Sequence, residues 1–156
     1  MYIFDGAMGT MLQAAGLEEG YCPELFNIER PEVVKDIHAQ YLLHGSDVIT
    51  TNTFGACGLK LEDYDLQDRV REINIAAVKV AKEAIAENKP TARVAGSMGP
   101  TGRFLQPLGN MSFDSIYDTY REQAEALIEG GVDFIIIETI IDVQEMRAAL
   151  LASLDA

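Results

Sequence analysis

The segment VDFIIIET, residues 132–139, contains four consecutive apolar residues and is followed at once by a carboxylate and a hydroxyl. A continuous apolar run, unlike an alternating one, is typical of a strand covered on both faces, as in a parallel sheet. An acidic side chain directly after such a strand is costly unless it is paired or hydrated at a rim. The segment therefore predicts a buried strand over Val132–Ile137 with Glu138 at its carboxyl end.

Three earlier segments repeat this arrangement, a short apolar run that stops at a polar residue or a glycine. The ends of successive runs lie 46, 45 and 42 residues apart. The predicted strands are Tyr2–Phe4 before Asp5, Asp47–Thr50 before Thr51, Ala92–Ala95 before Gly96, and Val132–Ile137 before Glu138.

Helical spacing of apolar residues fills the intervals between these runs. The predicted helices are Glu32–His44 after Pro31, Leu66–Asn88, a helix from Ser112 to Gly130 with Asp114 and Ser115 as cap candidates, and a helix from Asp142, its N-cap, to the last residues. The chain is thus predicted to be α/β, with four parallel (β/α) units. Either an open four-stranded sheet or half of an eight-unit barrel accepts this pattern, and both place ligands at the carboxyl ends of the strands.

The composition excludes several classes of function. The chain has 156 residues and a net charge of −13, which disfavours binding to nucleic acid or to an anionic membrane surface. No apolar run has the length of a membrane span, and no signal peptide is evident, so we expect a cytoplasmic protein. Cys22 and Cys57 form neither a CxxC pair nor a disulfide framework, and with two scattered histidines they do not make a zinc site.

Candidate binding residues follow three of the strands. Gly6 and Gly9, after Asp5, allow the backbone to approach a ligand, although phosphate binding there lacks a GxGxxG motif or a following lysine. The polar run Thr50–Thr53 either ties its loop together or faces a pocket, with Asn52 the best pocket candidate. Asp5 and Glu138 form a carboxylate pair in one layer without a matched nucleophile, and such a pair suits a cationic group such as a substrate ammonium. The alternative is that Asp5 only caps its turn.

Five motifs, taken in order, resemble the homocysteine S-methyltransferase family, and most closely the homocysteine-binding domain of the cobalamin-dependent methionine synthases. They are Asp5-Gly6-Ala7-Met8-Gly9-Thr10-Met11-Leu12-Gln13, Cys22-Pro23-Glu24, Thr51-Asn52-Thr53-Phe54-Gly55-Ala56, Gly99-Pro100-Thr101-Gly102, and Gly131-Val132-Asp133 to Glu138-Thr139. The resemblance runs from residue 2 to about residue 150.

The resemblance implies a TIM-type (β/α)8 barrel, of which residues 1–156 would be the N-terminal half and its first four units. The substrate would be homocysteine, its thiol activated by zinc, and the methyl group would arrive from a cobalamin on a separate module. Asp5 and Glu138 match positions that hold the amino-acid end, the backbone amides of Gly6, Ala7 and Met8 are candidates for its carboxylate, and Asn52 would belong to the same pocket.

The chain departs from the family pattern in its metal ligands. The three zinc-binding cysteines of the family lie later in the barrel, and neither Cys22 nor Cys57 matches one of them. We therefore expect no metal site and no methyl transfer in this chain alone. Two alternatives are a non-catalytic half-barrel that self-associates through its open edges and a small anion-binding α/β domain.

Overall fold

The fold is built on a parallel three-stranded sheet in the order β1-β2-β3. The computed structural model describes all residues from Met1 to Ala156. The strands are β1 (Val48–Thr50), β2 (Arg93–Met98) and β3 (Phe134–Ile137). In the register, Ile49 pairs with Val94, and Ser97 pairs with Ile136.

The first predicted strand, Tyr2–Phe4, needs correction. Only Phe4 pairs, through one parallel bridge to Val48. Tyr2 and Ile3 are 59% and 51% exposed, because no element covers the far side of this segment. The segment is nevertheless in place, since the Asp5 N–H donates to the Val48 carbonyl at 3.0 Å.

Strand β2 is longer than predicted and reaches Met98, so that Gly96 and Ser97 lie within the sheet. A side chain at Gly96 would start 3.0 Å from a methyl carbon of Leu127. Glycine here therefore allows a helix to pack closely on the strand, and it does not mark a turn.

The four long helices lie close to the predicted ranges, and three short helices occupy the loops. The structure contains α1 (Met8–Ala14), α2 (Phe26–Glu29), α3 (Pro31–Leu43), α4 (Gly58–Leu61), α5 (Val70–Asn88), α6 (Phe113–Gly130) and α7 (Val143–Asp155). Helix α5 starts four residues later than predicted, after a 3₁₀ turn over Gln67–Arg69.

The predicted N-cap is wrong for α6 and confirmed for α7. The N-cap of α6 is Ser112, whose Oγ accepts from the Ser115 N–H at 3.1 Å, so Asp114 and Ser115 are not caps. The N-cap of α7 is Asp142, as predicted, and its Oδ1 accepts from the Gln144 N–H at 2.7 Å.

The main core lies between β2, α6 and α7, and it contains one buried carboxylate. Glu145 on α7 accepts hydrogen bonds from the Thr101 N–H at 2.8 Å, the Thr101 hydroxyl at 2.7 Å and the Tyr120 hydroxyl at 3.0 Å. These bonds tie the loop after β2 to α7. The loop therefore holds a defined position beside the carboxyl ends of the strands.

Neither edge of the sheet has a full partner strand, because only the segment at Phe4 pairs with β1. Strand β3 pairs on one side only, and beside it lies an apolar groove between the strand and the last helix. Leu154, at the end of this groove, is 73% exposed. None of the helices has the length and apolar character that crossing a membrane requires.

His38 on α3 is a buried polar residue whose two ring nitrogens have no hydrogen-bond partner. Burial disfavours the charged imidazolium and lowers the pKa of His38 to about 4. The ordinary pKa of histidine in an unfolded chain is about 6.5, so the unfolded state binds the extra proton first. Stability is therefore lost as the pH falls from about 6.5 toward about 4.

Replacing His38 by leucine should remove this loss. Between about pH 7 and about pH 4.5, we expect the free energy of unfolding of the wild type to fall by about 2 kcal/mol relative to that of His38→Leu. Urea denaturation at both pH values measures the difference. The matched control is His44→Leu, because His44 is exposed at the end of the same helix. Parallel pH profiles for the wild type and His38→Leu would contradict the assignment.

Candidate functional site

A cleft of about 510 Å³ opens at the carboxyl ends of the strands. All six binding residues predicted from the sequence line it. The complete lining is Phe4, Asp5, Gly6, Ala7, Met8, Gly9, Pro23, Glu24, Thr50, Thr51, Asn52, Phe54, Ser97, Ile136 and Glu138. The parallel topology thus brings together residues that are up to 134 positions apart in the chain.

Asp5 is held at the rim of the cleft by the end of the neighbouring strand. Its Oδ2 accepts from the Thr50 N–H at 2.8 Å, and the Thr50 hydroxyl donates to Oδ1 at 3.1 Å. Asp5 therefore does more than cap its own turn, since its partner is 45 residues away. Sequence reasoning did not single out Thr50 for this contact, because a threonine at a strand end has many roles.

The ionisation of Asp5 is perturbed by its surroundings. Burial raises the pKa of Asp5 to about 6, the hydrogen bonds from Thr50 oppose the shift, and the charge of Glu138 adds to it. Because this pKa lies above that of an unfolded aspartate, ionising Asp5 costs stability as the pH rises from about 4 to about 6. A cation beside Asp5 would relieve that cost.

Glu138 faces the same cleft from the end of β3. Its Oε1 accepts from the Ser97 hydroxyl at 2.6 Å, and its backbone N–H donates to the Met98 carbonyl at 3.0 Å. Asp5 and Glu138 are the carboxylate pair expected from the sequence, and they lie near enough for the charge of one to affect the pKa of the other. Sequence reasoning missed the contact of Ser97, because it placed that serine in a loop.

The backbone after Asp5 provides unpaired donors. The N–H groups of Gly6, Ala7 and Met8 donate to no protein acceptor. The Tyr41 hydroxyl donates to the Ala7 carbonyl at 3.0 Å, and a side chain at Gly6 would start 3.0 Å from the Tyr41 oxygen. Tyr41 thus holds this turn in place, and glycine is needed for its close approach.

Asn52 lines the cleft but its amide nitrogen is used within the protein. Its Nδ2 donates to the Pro23 carbonyl at 2.8 Å, and its backbone carbonyl accepts from Asn27 Nδ2 at 2.8 Å. Its Oδ1 has no protein donor and is the part that remains for a ligand. The polar run Thr50–Thr53 therefore mainly ties the loops together, which was one of the two interpretations of the sequence.

Glu24 is a third carboxylate in the lining, and sequence reasoning gave it no role. It is buried, and its Oε1 accepts from the Gly55 N–H at 2.8 Å while the Cys22 thiol donates to Oε2 at 3.3 Å. A side chain at Gly55 would start 2.8 Å from Oε1. With both oxygens engaged, Glu24 joins two loops, which explains its place in the Cys-Pro-Glu motif.

The residues present do not fit a zinc ion. No group of three or more histidine, cysteine, aspartate or glutamate residues is placed to hold a metal. Burial raises the pKa of Cys22 to about 12 and the pKa of Cys57 to about 11, which disfavours the thiolate that binds metal. Both cysteines are free and buried.

Comparison with known proteins identifies relatives over nearly the whole chain. The family model described as homocysteine S-methyltransferase matches residues 2–155. The methionine synthases of Mycobacterium tuberculosis and Mycobacterium leprae are 41% and 38% identical to the chain over 96% of its length. The chain spans only 13% of the length of each of these two relatives.

The fold of the chain also matches solved structures of a homocysteine methyltransferase. The crystal structure of the homocysteine methyltransferase MmuM from Escherichia coli in its metallated form superposes with a TM-score of 0.82 at 27% identity. Its oxidized form gives a TM-score of 0.81 at 26% identity. The match covers 99% of this chain and 58–59% of those chains. By its sequence and by its fold, the chain belongs to the homocysteine S-methyltransferase family.

Proposed function

We propose that this chain binds homocysteine as the methyl-accepting substrate of a methionine synthase-type methyltransferase. The observation that carries the proposal is the cleft itself, in which two carboxylates face three unpaired backbone amides. A zwitterionic amino acid presents the complementary charges, an ammonium and a carboxylate, on one carbon atom. The names of the relatives supply homocysteine as the particular amino acid.

In this proposal each end of the amino acid has its own partners. The ammonium lies between Asp5 and Glu138, and its charge offsets the mutual repulsion of the two carboxylates. The carboxylate accepts hydrogen bonds from the N–H groups of Gly6, Ala7 and Met8. The apolar lining, which includes Phe54 and Ile136, is available to the methylene groups of the substrate.

The same charges argue against the alternative of a simple anion-binding domain. A free phosphate at the Gly6–Met8 amides would face Asp5 and Glu138 without a compensating cation, on a chain of net charge −13. An amino acid carries that cation within the ligand.

We also propose that residues 1–156 form the N-terminal half of a β/α barrel domain. The parallel strand order and the superposition on 58–59% of the MmuM chains support this assignment. In methyl transfer, the bond between the methyl group and its donor would break, and the sulfur of homocysteine would gain the methyl group and lose its proton to give methionine. No residue of this chain fits the zinc that the family implies, and none is assigned to a cobalamin, so both would be held by other segments or modules.

Removing either charge of the carboxylate pair should weaken homocysteine binding. Asp5→Asn and Glu138→Gln should each raise the Kd about tenfold or more, because each loses a charge-assisted contact worth about 1.5 to 3 kcal/mol. Calorimetric titration of the full chain measures the Kd. The control is Asp133→Asn, which removes one charge at the opposite end of β3, where Asp133 accepts from the Val94 N–H. Equal affinities for all four proteins would show that Asp5 and Glu138 do not contact the ligand.

Homocysteine binding should depend on pH through Asp5. With a pKa of about 6 in the free protein, Asp5 is mostly protonated at pH 5 and no longer attracts the ammonium. We expect the Kd to be about tenfold higher at pH 5 than at pH 7. In Asp5→Asn this dependence should disappear, and a wild-type Kd that stays constant across the range would speak against the contact.

The 156 residues alone should not transfer a methyl group. The measurement combines metal analysis of the purified chain with an assay for methionine formed from homocysteine and methylcobalamin. We expect homocysteine binding without methionine formation, because the chain offers no set of metal ligands. One zinc per chain together with methyl transfer would refute this expectation.

A further inference from the structure

Ser97 is placed to control the side chain of Glu138. It is 2% exposed, and its hydroxyl donates to Glu138 Oε1 at 2.6 Å. This is the one hydrogen bond that a protein group donates to the Glu138 carboxylate. Since Glu138 follows an edge strand and is partly exposed, packing alone constrains its side chain weakly.

The backbone of Ser97 is in turn held by two buried threonines. Its N–H donates to Thr51 Oγ1 at 3.1 Å, and its carbonyl accepts from Thr53 Oγ1 at 2.7 Å. The two threonine oxygens lie 2.6 Å apart. Because the single hydroxyl proton of Thr53 goes to the carbonyl, the proton between the two oxygens belongs to Thr51. The three residues therefore form a closed ring of hydrogen bonds with one direction.

This ring leaves the Ser97 hydroxyl with its proton available for Glu138. Both polar groups of the Ser97 backbone are already paired, and the ring uses no side-chain atom of Ser97. The backbone of this hydroxyl donor is therefore held in place by Thr51 and Thr53, which follow β1 in the chain. With Oε1 occupied, Oε2 of Glu138 has no protein donor and is free for a ligand.

We propose that Ser97 is a positioning residue that orients Glu138 toward the ammonium group of the substrate. The proposal rests on the proposed function, since it assigns Glu138 to that ammonium. Asp5 needs no such help, because Thr50 donates to it from both its N–H and its hydroxyl. The two carboxylates therefore differ, and the Glu138 half of the site depends on one hydroxyl.

The test compares Ser97→Ala with Ser97→Thr in the full chain. Ser97→Ala keeps the ring, since only backbone groups of Ser97 take part in it, and should raise the Kd for homocysteine about tenfold. Ser97→Thr keeps the hydroxyl and should stay within about threefold of the wild type. The matched control is Ser153→Ala, which removes a hydroxyl bonded to the Ala149 carbonyl on α7 and should leave the Kd unchanged. If Ser97→Ala does not fold, Ser97→Cys, a weak donor of similar size, replaces it.

Two further measurements separate positioning from a general structural effect. The first uses 4-mercaptobutanoate, which is homocysteine without its amino group, and Ser97→Ala should change its Kd by less than about twofold. The second combines Ser97→Ala with Glu138→Gln, and the tenfold effect should vanish in that background. An equal loss for both ligands, or an undiminished loss in the Glu138→Gln background, would overturn the proposal.

Failure of the proposed function gives a different result. In that case the wild type itself does not bind homocysteine, or Asp5→Asn and Glu138→Gln bind it as well as the wild type. Crystal structures of the wild type and Ser97→Ala then decide the positioning role alone. A Glu138 carboxylate that leaves its place in Ser97→Ala supports the role, and one that stays in place refutes it.

Discussion

The structure depends on one topological constraint, the parallel alignment of strands that all end at the same edge. Parallel strands direct the residues that follow them into one layer, however far apart they are in the chain. Asp5 and Glu138 meet there, next to the free amides of the turn after Asp5. An antiparallel arrangement of the same segments would send these side chains to opposite edges, and the cleft would lose one of its two charges.

Placing carboxylates in this layer has a cost, and the neighbouring strand ends reduce it. Burial raises the pKa of Asp5 to about 6, and the donors of Thr50 partly offset the loss of hydration. Glu138 receives one bond from Ser97, which is held by the threonine ring. The polar run at the end of β1 therefore supports acids of other strands in two ways: Thr50 donates to Asp5 directly, and Thr51 and Thr53 hold the serine that donates to Glu138.

Residues in the loops that follow the strands have two different roles in the cleft. Glu24 and the Asn52 amide connect loops to each other and so define the walls. Asp5 and Glu138 retain oxygen atoms that can face a ligand. Residues of four of the five motifs line the cleft; some of them keep oxygen or N–H groups free toward it, and others hold those residues in place.

Much of this protein follows from the sequence alone, because its signals are local. The apolar run Phe134–Ile137 and the helical spacing predicted the α/β class, the four long helices and the edge at which a ligand would bind. Asp5, Asn52 and Glu138 could be named from their places at or near the ends of the predicted strands, whereas the Gly6, Ala7 and Met8 amides were implied by the family resemblance. The prediction of a full strand over Tyr2–Phe4 was wrong, because the apolar character of this segment does not reveal that no neighbour covers its outer side.

Only the tertiary structure decided which polar residues keep an oxygen atom free toward the cleft and which connect other segments. The partners of Ser97, Thr50 and Glu24 lie 41, 45 and 31 residues away, and no local pattern encodes such a contact. Strand β2 extends beyond its apolar run because Ser97 and Met98 pair with Ile136 and Ile137 of β3, which lie about 39 residues further along the chain. The local sequence thus identifies the helices, the strands and the charged residues at their ends. The close approach of distant segments determines which hydrogen bonds fix those charged side chains.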